Sequence, residues 1–236
     1  MQDGYTGDVG DFGKYGLLNE ICKKSNGGIR LGINWFYVAG GEKGEHIKYL
    51  RDEKYKVCFP ELYDQLKSIV DNDRRSIKEI EKDLVLPKET VFYSKPLPSS
   101  SVNRENWFEE SLTKLKKADI IFLDPDNGIQ TDKVKKTQKR AIKYVFKDEI
   151  EEYYELGKSL IIYNHRDRRP QPEYNRKILG IRHCVKACND IRVLRFKRVS
   201  VRDYIFLIQK EHQDLIDETI TYLTREPHNF LFTRYL

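Results

Sequence analysis

Asp119-Ile120-Ile121-Phe122-Leu123-Asp124-Pro125-Asp126-Asn127-Gly128 runs four apolar residues straight into a polar turn. A short unbroken apolar run closed by turn residues reads as a strand covered on both faces, as in the middle of a parallel sheet. Pro125 has no backbone N–H to give a ladder, so the strand stops before it. Asp124 then stands at the carboxyl end of a central strand, with Asp126 and Asn127 just beyond. Open α/β sheets bind their ligands at that edge. A carboxylate held half in the core and half in a cleft has a tunable pKa. Asp124 and Asn127 also suit a plain turn cap. Three polar groups converging on one strand end favour a site.

A second run of the same kind, Ser159 to Tyr163, ends in Asn164-His165-Arg166. In a parallel sheet its end shares the edge with Asp124, which puts His165 within reach of that carboxylate. Upstream, Ile29–Val38 reads as another strand, with Asn34 and Trp35 inside it. Gly40-Gly41 and Gly44 follow where a dinucleotide fold places its G-x-G-x-x-G turn, but the spacing is G-G-x-x-G. Tyr5 to Leu18 holds four glycines and two aspartates. Such density reads as an entry loop, with Asp11 as N-cap of a helix carrying Leu17, Leu18 and Ile21. Asp8, Asp11 and Lys14 are the polar groups that loop would bring to a ligand.

The connecting segments are helical by periodicity. Leu62, Leu66, Ile69 and Val70 mark one helix, with Pro60 near its start. Ile77, Ile80 and Leu84 mark another, and Asn103–Lys117, Lys147–Leu156, Tyr174–Ala187 and His212–Thr224 read as four more. Thr90–Ser94 reads as a short strand, and Gln130–Arg140 as a polar flap over the cleft. Ile191–Phe196 and Tyr204–Ile208 pair as an antiparallel hairpin at the sheet edge around Ser200, and Phe230–Phe232 adds a last strand. The expected fold is therefore a single three-layer α/β domain over residues 1–236. Its central sheet is mostly parallel, with helices on both faces and an antiparallel C-terminal edge hairpin.

Composition sets the class. The chain has 236 residues, 39% hydrophobic and 34% charged, enough for a real core and too apolar in its runs for disorder. Cys22, Cys58, Cys184 and Cys188 give neither a zinc-ligand spacing nor a disulfide framework. No apolar run approaches membrane-spanning length and the N-terminus lacks a signal-peptide core, so the expectation is a cytoplasmic protein with no membrane partner. Net charge is +6, and it is uneven. From Asn164 to Arg202 there are twelve Lys/Arg against three acids. Arg166, Arg168 and Arg169 leave directly from the expected site, and guanidinium groups match phosphate geometry. A solvated basic face is the plainer alternative. Contact with the site favours a nucleic-acid partner, DNA first.

Two resemblances bear on the chemistry. Y-T-G-D-V-G-D-F-G-K-Y, with Gly7, Asp8, Asp11 and Lys14, resembles the H-A-G-N-x-A-D-x-x-K-H opening of a ribosomal-RNA adenine-N6 methyltransferase family, and F-L-D-P-D-N-G stands where that family has D-P-P-Y. Asp126 takes the place of the second proline, and the cofactor turn is not recognisable. Leu123-Asp124-Pro125 is similar to the core of G-Q-D-P-Y-H in the uracil-DNA glycosylase superfamily, and Asn164-His165 to the histidine loop of those enzymes. That resemblance implies a cofactor-independent, metal-free DNA glycosylase. It extends to small enzymes that remove modified bases in phage defence.

On that reading Asp124 is the catalytic carboxylate and His165 stabilises the departing base. Asp126 and Asn127 orient water or base. Asp8, Asp11, Lys14, Asn34, Tyr163 and Asn164 contact substrate, with Phe12 and Trp35 as further stacking candidates, and Arg166, Arg168 and Arg169 hold phosphate. The alternatives are an S-adenosylmethionine-dependent adenine methyltransferase, a nuclease gathering Asp8, Asp124 and Asp126 around Mg²⁺, and a non-catalytic nucleic-acid-binding module.

Overall fold

The computed structural model describes the whole chain except residues 42, 43, 84, 186, 187 and 189. Leu84, Lys186 and Ala187, assigned above to helices or the basic run, lie outside the described residues. Eight α-helices are assigned among them: α1 (Val9–Lys24), α2 (Glu53–Cys58), α3 (Pro60–Asp71), α4 (Ile77–Lys82), α5 (Ser101–Leu115), α6 (Lys147–Glu155), α7 (Gln171–Leu179) and α8 (Gln213–Leu223). The strands are β1 (Leu31–Asn34), β2 (Val91–Tyr93), β3 (Ile120–Leu123), β4 (Gly128–Ile129), β5 (Tyr144–Val145), β6 (Ser159–His165), β7 (Ile191–Phe196), β8 (Arg202–Leu207) and β9 (Phe232–Arg234). Among the described residues seven strands form one sheet in the order β2-β1-β3-β6-β8-β7-β9, and β4 and β5 form a small second one.

β2, β1, β3 and β6 are mutually parallel. β8 runs antiparallel between β6 and β7, and β9 pairs antiparallel outside β7. The β7–β8 hairpin is thus antiparallel on the C-terminal side of the sheet, and β9 forms the outer border. β3 alternates perfectly between two cores. Ile120 and Phe122 join the cluster under α1, α3 and α8, whereas Ile121 and Leu123 join the cluster under α5, α6 and α7. All four are essentially inaccessible, each stabilising the fold by ~1.5–3 kcal/mol of burial. The chain moves from β1 to β2 on one side and returns to β3 on the other. Between β1 and β3 lies the switch point at which open sheets leave a crevice.

Boundaries shift where local pattern and tertiary pairing disagree. The first strand is shorter than Ile29–Val38, and Trp35 lies just past it. β6 is longer than Ser159–Tyr163, because Asn164 and His165 pair with Asp203 and Arg202 of β8. The segment 130–140 is no free flap: Val134 packs with Ala141 and Phe146, and Lys136 and Lys147 reach Asp148 and Asp132.

The largest correction concerns the glycine-rich N-terminus. It is helix, not loop, and its N-cap position is Asp8, with Asp11 in the first turn. Gly10, Gly13 and Gly16 lie three residues apart on α1. A Cβ on any of them would stand under 3.0 Å from Tyr163, Phe196 or Phe59 respectively. Missing side chains let three aromatic rings lie directly on the helix backbone, and that packing outweighs the ~1 kcal/mol helix cost of each glycine. α1 is thereby pressed against the sheet with its N-terminal turn over the carboxyl ends of β3 and β6.

Candidate active site

A cavity of about 270 Å³ opens at that edge. Asp124 forms part of its floor and His165 part of its wall, with Asp8, Asp11, Lys14 and Tyr163 between them. Register explains the meeting. Leu123 pairs with Ile162 across the parallel β3–β6 ladder, so the two strand ends emerge side by side. Asp126 and Asn127 also line the cavity, as does Lys143.

Three groups form the floor. Lys14 Nζ donates to Asp124 Oδ2 at 2.7 Å and to Asp11 Oδ1 at 2.8 Å. Asp11 Oδ2 accepts from the Gly7 N–H and from Tyr15 Oη. Burial opposes the Lys14 charge, but Asp11 and Asp124 outweigh it and hold its pKa above the ordinary lysine value. Two carboxylates share one ammonium, so the triad carries one negative charge in excess in dry surroundings. Burial accordingly lifts the Asp124 carboxyl above its usual value, against the pull of Lys14. Tyr163 covers the group, with Lys14 Nζ 4.9 Å from its ring centroid.

The remaining acids are held differently. Burial and the neighbouring Asp11 charge raise the Asp8 pKa to about 7, against Arg75, whose Nη2 donates to Asp8 Oδ1 at 2.7 Å. Asp126 accepts from Gln2 Nε2 at 2.8 Å and lies 3.2 Å from the Met1 amine. Burial would raise its pKa, but that amine and Gln2 hold it below the ordinary value. Asp8, Asp124 and Asp126 therefore face three different cations. Among the described residues no group of three or more His, Cys, Asp or Glu is placed to hold a metal.

His165 sits edge-on to Tyr163, ring centroids 6.0 Å apart. Burial, reinforced by Arg202 directly across the β6–β8 ladder, depresses its pKa to about 3. At neutral pH the imidazole is uncharged, with one N–H to donate and one nitrogen to accept.

Several expected contacts are structural instead. Asn34 is fully buried, donates to Tyr153 Oη and accepts from the Phe36 N–H. Asn164 is equally buried, donates to Tyr174 Oη and accepts from the Ile129 N–H. Phe12 and Trp35 belong to the core. Arg166, Arg168 and Arg169 do not line the cavity. Arg166 and Arg169 turn instead to Asp167, and Arg166 lies over the Tyr174 ring.

Residues overlooked in the sequence take their place: Tyr5, 41% exposed at the mouth, and Arg198, Ser200 and Arg202 from the β7–β8 turn. Both arginines belong to the twelve-cation run. The signal that could have found them was hairpin pairing, which sets Arg202 opposite His165.

The edge beyond β1, where a nucleotide cofactor turn would open, is occupied by the chain itself. The Met1 amine donates to the Trp35 and Phe36 carbonyls, Val38 N–H donates to the Met1 carbonyl, and Gly44 N–H to that of Gly4. Among the described residues no helix is long and apolar enough to cross a membrane. Comparison with known proteins finds no matching family model, curated protein or solved structure.

Proposed function

We propose that this chain acts on a single base of a nucleic acid, taken out of its stack into the cavity, and that it hydrolyses the N-glycosidic bond. The observation that carries this reading is the meeting of Asp124 and uncharged His165 in one cavity at the ends of adjacent parallel strands. At about 270 Å³ the space lies just under the ~300–1,000 Å³ of sites for drug-sized ligands. It suits one base with its sugar better than a base and a nucleoside cofactor together. The edge beyond β1, filled by residues 1–4, supports the same choice.

The chemistry follows from the charges. As the C1′–N bond breaks, positive charge grows on the sugar and negative charge on the base. The floor triad, one negative charge in excess, stabilises the first. The His165 N–H donates to the second. Water adds its oxygen to C1′ and gives up a proton, and the base leaves carrying one. Asp126 and Asn127 orient the water, and Tyr5 at the mouth offers a ring for the extruded base to stack on.

The test is incubation with single-stranded and duplex DNA, normal and modified, without added cofactor. Free base and abasic sites are expected from the wild type and not from Asp124→Asn. Full base release by that variant sinks the assignment.

A second reading, base methylation, is favoured by one specific contact. The 2.7 Å Lys14–Asp124 pair joins the two segments on which the methyltransferase resemblance rests. Calorimetric binding of S-adenosylmethionine, with methyl transfer and no free base, would select it.

A further inference from the structure

The β7–β8 turn carries a feature that the floor chemistry does not use. Arg198 and Arg202 both line the cavity, with Ser200 between them. Neither has a carboxylate within ion-pairing distance among the described residues. Arg198 donates through Nη2 to the Phe230 carbonyl and lies over the Phe230 ring at 3.6 Å; Arg202 donates to the Val201 carbonyl at 3.3 Å and lies 5.8 Å from the Tyr163 ring centroid. In both side chains the Nε–H is shut off from solvent and has no hydrogen-bond partner. The half-buried or buried arginines elsewhere are matched: Arg75 to Asp8, Arg104 to Glu149, Arg192 to Asp190 and Asp217, Arg195 to Asp203.

Guanidinium N–H groups withdrawn from water without a partner are costly, and a bound anion or an ordered water is what relieves such a cost in native proteins. That anion is not one of the cavity's own acids. Asp8 is taken by Arg75, Asp11 and Asp124 by Lys14, and Asp126 by Gln2 and the Met1 amine. The cavity is therefore bipolar, with a floor whose acids are each engaged by a cation of the fold and a wall whose two guanidinium groups no carboxylate reaches among the described residues. The cross-strand pairing of His165 with Arg202 fixes the cationic wall one strand away from the imidazole.

We infer that Arg198, Ser200 and Arg202 form a phosphate subsite, which holds the phosphodiester adjoining the base seated over Asp124. The planar forks of the two arginines suit phosphate oxygens, and the Ser200 hydroxyl supplies a neutral donor. This inference rests on the base-directed reading above and adds where the backbone of the substrate lies: across the β7–β8 turn rather than along Arg166–Arg169.

The experiment uses the full chain, with Arg198→Gln, Arg202→Gln and the double variant, each checked for an unchanged thermal transition. Three probes are titrated by calorimetry: inorganic phosphate, the four nucleoside 5′-monophosphates and the corresponding nucleosides. A fluorescent single-stranded oligonucleotide is followed by anisotropy at several salt concentrations. Monophosphates should bind better than nucleosides, and the double variant should erase the difference. For the oligonucleotide each substitution should weaken binding by ~10-fold and lower the slope of log K against log salt by about 1. Phosphate and oligonucleotide binding unaltered in the double variant overturns the subsite. Arginine-dependent binding of inorganic phosphate, with no preference for any base-bearing probe, upholds the subsite and instead brings down the base-directed reading.

Discussion

Two of the buried ion clusters, one around Arg104 and one around Lys14, differ in whether they are closed. Arg104 is 2% exposed and engages all three guanidinium nitrogens: Nε and Nη2 donate to the two Glu149 oxygens, Nη1 to the Ala141 carbonyl and Nη2 also to that of Tyr144. Glu149 also accepts the Phe146 N–H at the start of α6. Four of the five guanidinium N–H groups have a partner, and neither Arg104 nor Glu149 lines the cavity at the sheet edge. Lys14 is just as buried but ties Asp11 to Asp124 with an excess negative charge, and cavity space lies against all three. Asp124 Oδ1 has no further partner among the described residues. A closed cluster can only hold structure together, here pinning the 128–145 insertion to α5. An open one can act on whatever enters.

Breaking the closed cluster should produce the largest stability effect. Arg104→Ala leaves Glu149 buried and unpaired, a change that costs ~3–5 kcal/mol. In a chain of this length that corresponds to a fall in melting temperature of roughly 10 °C. A loss under about 1 kcal/mol in denaturant titration would mean that the cluster relaxes into water and is not closed.

The open cluster should respond the other way round. Asp124→Asn leaves Lys14 paired with Asp11, so the fold should lose less than in Arg104→Ala. Base release should fall by ~10²-fold or more, the usual effect of removing a group that stabilises transition-state charge. Rates are to be compared in single-turnover assays at matched folded fraction. A variant that melts early yet keeps its rate would place Asp124 with the closed kind.

The distinction also explains how far the sequence could be read. The ends of β3 and β6 were legible because continuous apolar runs stopped by Pro125 or by polar residues have one simple meaning in a parallel sheet. Asp124 and His165 follow from that alone. The partners of Asp124 were not legible, because Lys14 lies 110 residues away and local periodicity holds no record of long-range pairing. Gly10, Gly13 and Gly16 suggested a loop because propensity favours one. The rings of Tyr163, Phe196 and Phe59, which force a helix stripped of side chains, come from elements 43 to 183 residues downstream. Asn34 and Asn164 had the right type and position for substrate contact. They are consumed by Tyr153, Phe36, Tyr174 and Ile129, and only three-dimensional accounting of donors and acceptors reveals it.

Acid should separate the open cluster from its surroundings. The His165 pKa falls from 6.5 to about 3 on folding. Between those values the unfolded chain takes a proton that the folded one refuses, so stability drops as pH falls through that window. Asp8 works in the opposite sense. Raised from 3.8 to about 7, it keeps in the folded state a proton that the unfolded chain releases, so its contribution is full below 3.8 and lost as pH rises through 7. His165→Gln should abolish the acid-side loss, and wild type should destabilise relative to this variant between pH 7 and pH 5. Asp8→Asn should flatten the approach to pH 7 from below. Parallel melting curves for wild type and His165→Gln across that range would show a solvated imidazole, incompatible with a neutral donor at the cavity wall.

The smallest effect is expected where charge is densest along the sequence. Arg166, Arg169 and Lys177 all converge on Asp167, and the Arg166 guanidinium also lies 4.4 Å from the Tyr174 ring centroid. This group resembles Arg104 in having its cations already engaged by a carboxylate, although it is far more solvated, and such partly solvated pairs contribute little either to the fold or to a partner. Arg166→Gln should change oligonucleotide affinity by less than about twofold and the salt dependence hardly at all, since a cation already engaged releases few counterions. Arg198→Gln removes one charge of the same sign and type. If Arg166→Gln proves the more damaging of the two in the anisotropy titration, local partnering does not govern which cations meet the substrate, and the contrast between closed and open clusters fails at the surface.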